Sequence, residues 1–100
     1  MNLSRLQILR DKMRLFRTKT FLKEYAKLKI SDTHYAKYLQ YLALLLQEDI
    51  LPPEAKDHPL IGDYENFREF HISGDLLVIY CIEDEILKLT RIGSHSQLFG

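Results

Sequence analysis

The sequence predicts an α+β domain, a two-layer sandwich in which an antiparallel helix pair packs on one face of a mainly antiparallel four-stranded sheet. Three observations support this fold, whose elements follow in the order βααβββ. Apolar residues recur at helical spacing before Pro52 and Pro53, and three short runs of strand-forming residues follow the two prolines. The length of 100 residues is enough for one domain and too short for two.

The first twelve residues are expected to form an N-terminal extension, so that the domain itself spans residues 13–100. Leu3, Leu6 and Leu9 have the spacing of a short amphipathic turn. After Met13 the chain continues with a short alternating run, Arg14–Thr18, which predicts the first strand.

Two helices are predicted next. Thr18 or Thr20 is suited to cap the first, because a hydroxyl oxygen accepts hydrogen bonds from backbone N–H groups of the first turn. Ser31 or Asp32 is suited to cap the second, which should reach about Glu48. Both carry apolar stripes at three- and four-residue spacing. The stripes consist of Phe21, Leu22, Tyr25 and Leu28, and of Tyr35, Tyr38, Leu39, Leu42, Leu45 and Leu46.

Three strands are predicted in the second half, at Asn66–Ile72, Leu76–Ile82 and Glu85–Ile92. The dipeptides Gly74-Asp75 and Glu83-Asp84 make the connections short enough for antiparallel hairpins. The middle strand has almost no polar alternation, so it should lie at the centre of the sheet with both faces covered. The face of the sheet that does not carry the helix pair is expected to remain available as a concave working surface.

The net charge is zero, but the two halves of the chain differ. Residues 1–50 contain ten basic and five acidic side chains, whereas residues 51–100 contain four and nine. This asymmetry favours a basic face for phosphates or an acidic partner, although basic residues coating the solvent side of the helices would produce it too. The single cysteine, Cys81, excludes an internal disulfide, and no apolar run approaches the ~20 residues of a membrane span. We therefore expect a cytoplasmic protein.

Three of the four histidines, His58, His71 and His95, occur at predicted turns and strand ends. Strand alternation puts Glu69 and His71 on the same face of the sheet, and the three histidines are candidates to converge on one sheet face beside Asp75, Arg68 and Arg91. Two chemistries suit such a cluster. One is metal binding, although no spacing matches a compact metal motif. The other is metal-free RNA cleavage, in which histidines serve as general base and acid.

Several separated segments of the second half occur in the order typical of one family. They are Lys56–Leu60, Phe67–His71 with Asp75, Leu76–Tyr80, Arg91–His95 and Leu98–Gly100. These segments resemble the YafQ branch of the RelE-type toxins. The resemblance is dense from about Pro52 to the C-terminus, while over residues 14–50 only the strand–helix–helix pattern agrees. Members of this branch are bacterial mRNA interferases of type II toxin–antitoxin systems. The resemblance implies an endoribonuclease that cuts mRNA on the ribosome without a metal or other cofactor and is silenced by a cognate antitoxin.

The resemblance also implies roles for individual residues. Asp75 or His71 is expected to be the general base and His95 the general acid. His58, with Arg91 or Lys56, is expected to steady the phosphate. Phe99 would stack on a nucleotide, although packing of the tail against the sheet explains it equally well. Arg68 is a further candidate for phosphate binding, but strand alternation points it away from His71.

A different function is compatible with the same fold. A non-enzymatic toxin would act by gripping a protein target such as DNA gyrase, because a shared fold does not guarantee a shared function. The histidine trio argues for the enzyme, since a pure binder has no need of three titratable groups at one site.

Overall fold

Two main helices and a five-stranded mixed sheet make up residues 13–100, the part of the chain that a computed structural model describes. The expected N-terminal extension, residues 1–12, lies outside the described residues. Two short 3₁₀ turns, Pro53–Ala55 and Gly62–Tyr64, flank the second strand. The elements are β1 (Arg14–Arg17), α1 (Lys19–Ala26), α2 (Asp32–Leu46), β2 (His58–Pro59), β3 (Arg68–Ser73), β4 (Leu76–Glu83), β5 (Ile86–Gly93) and α3 (His95–Phe99).

The sheet has the strand order β1-β5-β4-β3-β2, with β4 at its centre as predicted. β1 runs parallel to β5, and the other three pairings are antiparallel. The prediction of four strands was wrong, because His58 and Pro59 pair with Glu69 and Arg68 and add a fifth. A two-residue strand shows no alternation in the sequence, and only its partner strand reveals it.

Hydroxyl side chains begin both main helices. The Thr18 hydroxyl accepts a hydrogen bond from the Phe21 N–H, and the Ser31 hydroxyl accepts one from the His34 N–H. Thr18 rather than Thr20 therefore caps α1, and Ser31 rather than Asp32 caps α2. α2 ends at Leu46, two residues before the predicted end, and Glu48 adopts a left-handed φ of 61° that is incompatible with continuing the helix.

Thr18 also joins the start of α1 to the end of β5. β1 accompanies β5 only as far as Leu89, and an irregularity in the β4–β5 register leaves Thr90 without a partner on β4. The Thr18 N–H donates to the Leu89 carbonyl, and the Thr18 hydroxyl donates to the Thr90 carbonyl. The N-cap residue of α1 thus satisfies the backbone carbonyls of Leu89 and Thr90.

The main core lies between the two helices and one face of the sheet. Aromatic rings from the helices pack directly on the strands, as where Tyr41 meets Phe70 edge-on at a centroid distance of 5.7 Å. The buried members are Phe21, Tyr38, Tyr41, Leu42 and Leu45 from the helices, Leu51 and Ala55 from the following turn, and Phe70, Ile72, Val78, Tyr80, Leu87, Leu89 and Ile92 from the strands.

The opposite face of the sheet is partly covered by a second, smaller cluster. Leu77 and Ile79 of β4 are buried there beneath Leu98, with Tyr64 and Phe67 packed at the side. The tail that supplies Leu98 forms α3, which a reciprocal capping box between Ser94 and Gln97 begins. The working surface expected on this face is therefore narrower than an open sheet.

Gly93 makes the junction of β5 and α3 possible. A Cβ atom at this position would lie 2.8 Å from the Gln97 side-chain oxygen, which accepts the Ser94 N–H in the capping box. Any larger residue would displace that side chain and loosen the start of α3. Among the described residues, no helix is long and apolar enough to cross a membrane.

Burial of Tyr38 predicts a loss of stability in alkali. Burial raises the pKa of Tyr38 from 10.0 to about 12, because the charged phenolate is poorly solvated there. The unfolded chain releases this proton near pH 10, so Tyr38 should lower the unfolding free energy by about 1.4 kcal/mol per pH unit between pH 10 and about 12. Urea denaturation of the parent and of Tyr38→Phe at several alkaline pH values would show a shallower decline in the variant. Parallel declines would contradict the prediction.

Candidate active site

A cluster of two histidines and one glutamate lies at the β2–β3 side of the sheet. The strand register places His58 opposite Glu69, and the pleat of β3 puts Glu69 and His71 on the same face. The His58 Nε2 atom lies 2.8 Å from the Glu69 Oε1 atom, and the His71 Nε2 atom lies 3.4 Å from it. These three side chains are called the histidine–glutamate cluster below.

The carboxylate of the cluster is deeply buried. Glu69 is only 3% exposed and is the one charged residue in the described part of the chain that is buried. A buried carboxylate is costly unless charged or hydrogen-bonding partners surround it. The histidines meet that need at Oε1, but Oε2 has no hydrogen-bond partner among the described residues. Glu69 therefore retains an unused acceptor inside the cluster.

Both ring nitrogens of His58 face oxygen acceptors. The Nδ1 atom is 2.9 Å from the Pro59 carbonyl oxygen, and the Nε2 atom is 2.8 Å from the Glu69 Oε1 atom. A hydrogen on Nδ1 satisfies the carbonyl, and a hydrogen on Nε2 satisfies the carboxylate. The His58 ring is therefore held in position from both sides.

Arg91 lies in the same transverse row of the sheet as His58 and Glu69. Arg91 is paired with Ile79, Ile79 with Glu69, and Glu69 with His58 across four adjacent strands. Neighbouring strands lie about 4.8 Å apart, so the backbone of Arg91 is about 10 Å from that of Glu69. The buried Ile79 separates the cationic and the histidine-rich ends of the row.

The guanidinium of Arg91 is held by two neighbours. Its Nε and Nη2 atoms donate to the two carboxylate oxygens of Glu24 on α1, and Nη1 donates to the Tyr64 hydroxyl at 3.2 Å. The hydrogen bonds to Glu24 and Tyr64 raise the pKa of Arg91 above its usual range. Glu24 also accepts the Ile92 N–H at 3.3 Å. Arg91 is thus fixed in position, with much of its charge compensated by Glu24.

Asp75 connects the turn between β3 and β4 to α3. Its Oδ1 atom accepts the His95 N–H at 3.0 Å. The His95 ring lies 4.9 Å from the Phe99 ring, which in turn meets Tyr64 edge-on at 5.8 Å. Among the described residues, no hydrogen bond or ion pair joins the His95 ring to the histidine–glutamate cluster. His95 and Phe99 therefore lie together beside Asp75, and the Asp75 carboxylate is engaged by the His95 backbone N–H.

Arg68 and Lys56 are not part of the cluster. Arg68 lies on the helix-covered face of the sheet, where its Nε atom donates to Asp57 at 3.1 Å. The Tyr80 hydroxyl donates to the same carboxylate oxygen at 2.7 Å. Lys56 is exposed at the end of the first 3₁₀ turn, two residues before His58.

Glu69, Glu24 and Tyr64 belong to this region but were not predicted as site residues from the sequence. Glu69 could have been predicted, because strand alternation puts it on the same face as His71. Glu24 and Tyr64 could not, since their contacts with Arg91 join segments 67 and 27 residues apart. Within residues 13–100, the group that could hold a metal ion is His58, Glu69 and His71, whose candidate ligand atoms all lie within 4.8 Å of one another.

Comparisons with known proteins point in one direction. Residues 13–100 match the family of bacterial YafQ toxins of type II toxin–antitoxin systems. The mRNA interferase toxin YafQ of Escherichia coli K12 is 42% identical over 64 residues, covering 62% of this chain and 70% of that protein. The E. coli DinJ–YafQ toxin–antitoxin complex matches with a TM-score of 0.76 and 29% identity over 89% of this chain and 99% of the matched chain. A copper-bound mutant toxin from Helicobacter pylori matches with a TM-score of 0.78 and 34% identity, over 87% and 99%.

Replacing Glu24 should destabilise the domain. Glu24→Gln keeps the shape of the side chain but leaves a partly buried Arg91 without its counter-charge, so we expect a loss of about 1–3 kcal/mol in unfolding free energy. Urea denaturation would measure it. Glu65→Gln, at an exposed site, is the matched control and should change stability by no more than about 0.5 kcal/mol. Equal stability of the two variants would show that the Arg91–Glu24 pair contributes nothing.

Proposed function

We propose, since this chain belongs to the YafQ family of type II toxin–antitoxin toxins and is an mRNA interferase, that the histidine–glutamate cluster supplies its acid–base chemistry. The observation that supports this most strongly is the burial of Glu69 between two imidazoles, with one carboxylate oxygen unused. A toxin that only gripped another protein would gain nothing from so costly an arrangement.

The base of the proposed reaction is His71. Glu69 lies beside the Nε2 atom of His71, so it orients the ring and stabilises the imidazolium that forms when the other ring nitrogen, Nδ1, takes the proton of the 2′-hydroxyl. The 2′-oxygen then attacks the adjacent phosphorus, and the bond from phosphorus to the 5′-oxygen of the next nucleotide breaks. This reaction yields a 2′,3′-cyclic phosphate and a free 5′-hydroxyl, and it needs the 2′-hydroxyl that DNA lacks.

Cationic groups beside the cluster are proposed to steady the phosphate as negative charge develops on its oxygens. His58 qualifies in its protonated form, which Glu69 stabilises at 2.8 Å, and the exposed Lys56 lies two residues before it. Arg91 lies at the other end of the transverse row, where Glu24 and Tyr64 fix its position. Because Glu24 already compensates much of its charge, Arg91 is better suited to orient a bound RNA strand than to neutralise the phosphate.

The proposed general acid is His95. It is exposed at the start of α3, and its backbone is tied to Asp75 in the turn that follows β3. That hydrogen bond gives Asp75 a positioning role, which leaves His71 as the better of the two predicted bases. Phe99 lies against the His95 ring and is partly exposed, so it is suited to stack on a nucleotide and hold the leaving group near the acid.

The proposed substrate is mRNA on the ribosome, and the reaction is proposed to require no metal, because imidazole and carboxylate groups provide both proton transfers. The protein would then act in the cytoplasm, where translation takes place. Arg68 is not assigned to RNA, since it lies on the opposite face in an ion pair with Asp57.

A cognate antitoxin is the second proposed partner, as in the DinJ–YafQ complex of E. coli. Several large apolar side chains are exposed together where β1 meets the two helices. They include Leu15 on β1 and Tyr35 and Leu39 on α2, which line one groove with Tyr25 and Arg17. An exposed apolar groove of this kind is typical of protein–protein contacts, and Arg17 favours an acidic partner segment.

Glu69→Gln tests the proposed role of the cluster. The amide keeps the size of the side chain but carries no negative charge with which to stabilise an imidazolium. We expect RNA cleavage to fall by about 10²-fold or more while circular dichroism shows a folded protein. Glu65→Gln is the control and should cleave normally. A Glu69→Gln protein as active as the parent would remove the cluster from the mechanism.

His95→Ala tests the proposed general acid. The side chain is exposed, so stability should change by only about 0.5 kcal/mol, whereas cleavage should fall by about 10²–10⁴-fold. Growth arrest on expression and single-turnover cleavage of mRNA on ribosomes would both be measured. His34→Ala, on α2, should retain parental activity. If His95→Ala remained toxic with an unchanged cleavage rate, His95 would not be the acid.

Leu39→Glu tests the proposed antitoxin surface. A carboxylate in the groove should raise the dissociation constant of the complex with the cognate antitoxin at least about tenfold, because burying an unpaired charge is costly. Cleavage by the free toxin should be unchanged. The control is Ile50→Glu, since Ile50 is 93% exposed and does not line the groove. Equal binding by both variants would move the interface elsewhere.

A further inference from the structure

We propose that Asp57 is a positioning residue for RNA cleavage, because its contacts with Tyr80 and Arg68 hold the neighbouring His58 beside Glu69. Asp57, Arg68 and Tyr80 are called the Asp57 network below. The network lies on the helix-covered face of the sheet, opposite the histidine–glutamate cluster. Its effect on cleavage rests on the role proposed above for His58, but the positioning of the ring does not.

The strand that carries His58 needs support from outside its own backbone. β2 is only two residues long, and the second of them, Pro59, has no N–H group to donate. Lys56, two residues before His58, adopts a left-handed conformation with a φ of 49°. That conformation is unfavourable for a residue with a side chain, so it persists only where surrounding contacts enforce it. Other contacts must therefore fix the chain between Lys56 and Pro59.

Asp57 supplies these contacts. Its Oδ1 atom accepts hydrogen bonds from the Tyr80 hydroxyl at 2.7 Å and from Arg68 Nε at 3.1 Å. The Arg68 Nη2 atom also donates to the Asp57 backbone carbonyl at 3.4 Å. Arg68 and Tyr80 are partners across β3 and β4, and Tyr80 is only 1% exposed. The Asp57 carboxylate thus ties the start of β2 to two strands of the sheet, one of them through a side chain that the core holds in place.

The geometry of the chain transmits this restraint to His58. Successive side chains along an extended segment point to opposite faces of a sheet, so fixing Asp57 on the helix-covered face turns His58 toward Glu69. A slip of one residue would exchange the two faces and remove His58 from the cluster. The Asp57 network therefore specifies a register that a two-residue strand alone specifies only weakly.

The contacts of the His58 ring do not provide the same restraint. The Pro59 carbonyl that faces Nδ1 belongs to the next residue, so it moves with His58 and does not locate the ring on the sheet. Only the 2.8 Å contact of Nε2 with Glu69 reaches another strand. The His58 side chain is 49% exposed, so packing holds it weakly. Its distance from Glu69 therefore depends on where the backbone of β2 is held.

The hydrogen bonds of the network are maintained at neutral pH. Burial, together with the hydrogen bond to Asp57, raises the pKa of Tyr80 above its usual value of 10.0, so the phenol keeps the proton that it donates. Arg68 compensates the charge of Asp57 in an ion pair. Changes of pH around neutrality should therefore act on the histidines and leave the network intact.

Long-range ¹H–¹⁵N NMR spectra of the histidine rings in the full chain test the positioning directly. Asp57→Ala should shift the His58 ring signals and leave those of His34, on α2, unchanged. Tyr80→Phe keeps an aromatic ring in the core and removes one donor, so it should shift the His58 signals in the same direction even if Asp57→Ala folds poorly. The matched control is Asp49→Ala, at an exposed site whose side chain has no hydrogen bond within residues 13–100. Unchanged His58 signals in both network variants would overturn the proposal.

Cleavage of mRNA on ribosomes tests whether Asp57 acts through His58. Asp57→Ala should lower the rate by about 10²-fold, since a misplacement of about 1 Å can cost that much. Asp57→Asn keeps an oxygen that accepts from Tyr80, so it should retain more activity, and Asp49→Ala should cleave like the parent. The double variant His58→Ala/Asp57→Ala should cleave no more slowly than His58→Ala, because the two losses share one cause. Losses that multiply in the double variant would overturn the proposal.

The two measurements separate this proposal from the proposed function. Full cleavage by His58→Ala would overturn the phosphate role proposed for His58 and with it the effect of Asp57 on cleavage, while the ring spectra would still decide the positioning. Slow cleavage by Asp57→Ala with unchanged His58 ring signals would overturn the positioning and leave the proposed role of the cluster intact.

Discussion

Burial of the Glu69 carboxylate is the constraint on which the architecture of the site depends. Its negative charge cannot be left in a low-dielectric position without compensation, so neighbouring strands must bring polar hydrogens to it. β2 consists of only two residues, yet it places His58 opposite Glu69, and β3 brings His71 from two residues further along the same face. The short strand His58–Pro59 therefore matters more for charge compensation than for the sheet, where it forms only the outer edge.

The same logic holds at the far end of the transverse row. Glu24 reaches from α1 to a segment of β5 that β1 does not accompany, and there it accepts a backbone N–H and neutralises Arg91. Arg91 in turn holds the Tyr64 hydroxyl, which keeps the loop before β3 against the second cluster. The Arg91 guanidinium is thus held at both of its ends, by Glu24 and by Tyr64.

Most of the fold could be predicted from the sequence, because the patterns that specify it lie within single elements. Stripes at helical spacing and hydroxyl caps determined α1 and α2, and the uninterrupted apolar run of β4 marked the centre of the sheet. The fifth strand could not be predicted because two residues show no alternation, and the contact of Glu24 with Arg91 could not because it joins segments 67 residues apart. For the site, alternation along β3 correctly separated Arg68 from His71, but no periodicity indicates that the glutamate between them is buried. The roles assigned to individual histidines stay predictions.

The hydrogen bond from the His95 backbone to Asp75 has a consequence for how such a toxin can change over time. It ties the start of α3, which carries the proposed acid His95, to the turn at the end of β3, which carries the proposed base His71. Their separation is therefore set within the contiguous segment from β3 to α3. The helices and β1, which present the apolar groove, take no direct part in that spacing. Substitutions can therefore accumulate around the apolar groove without changing the distance between His71 and His95.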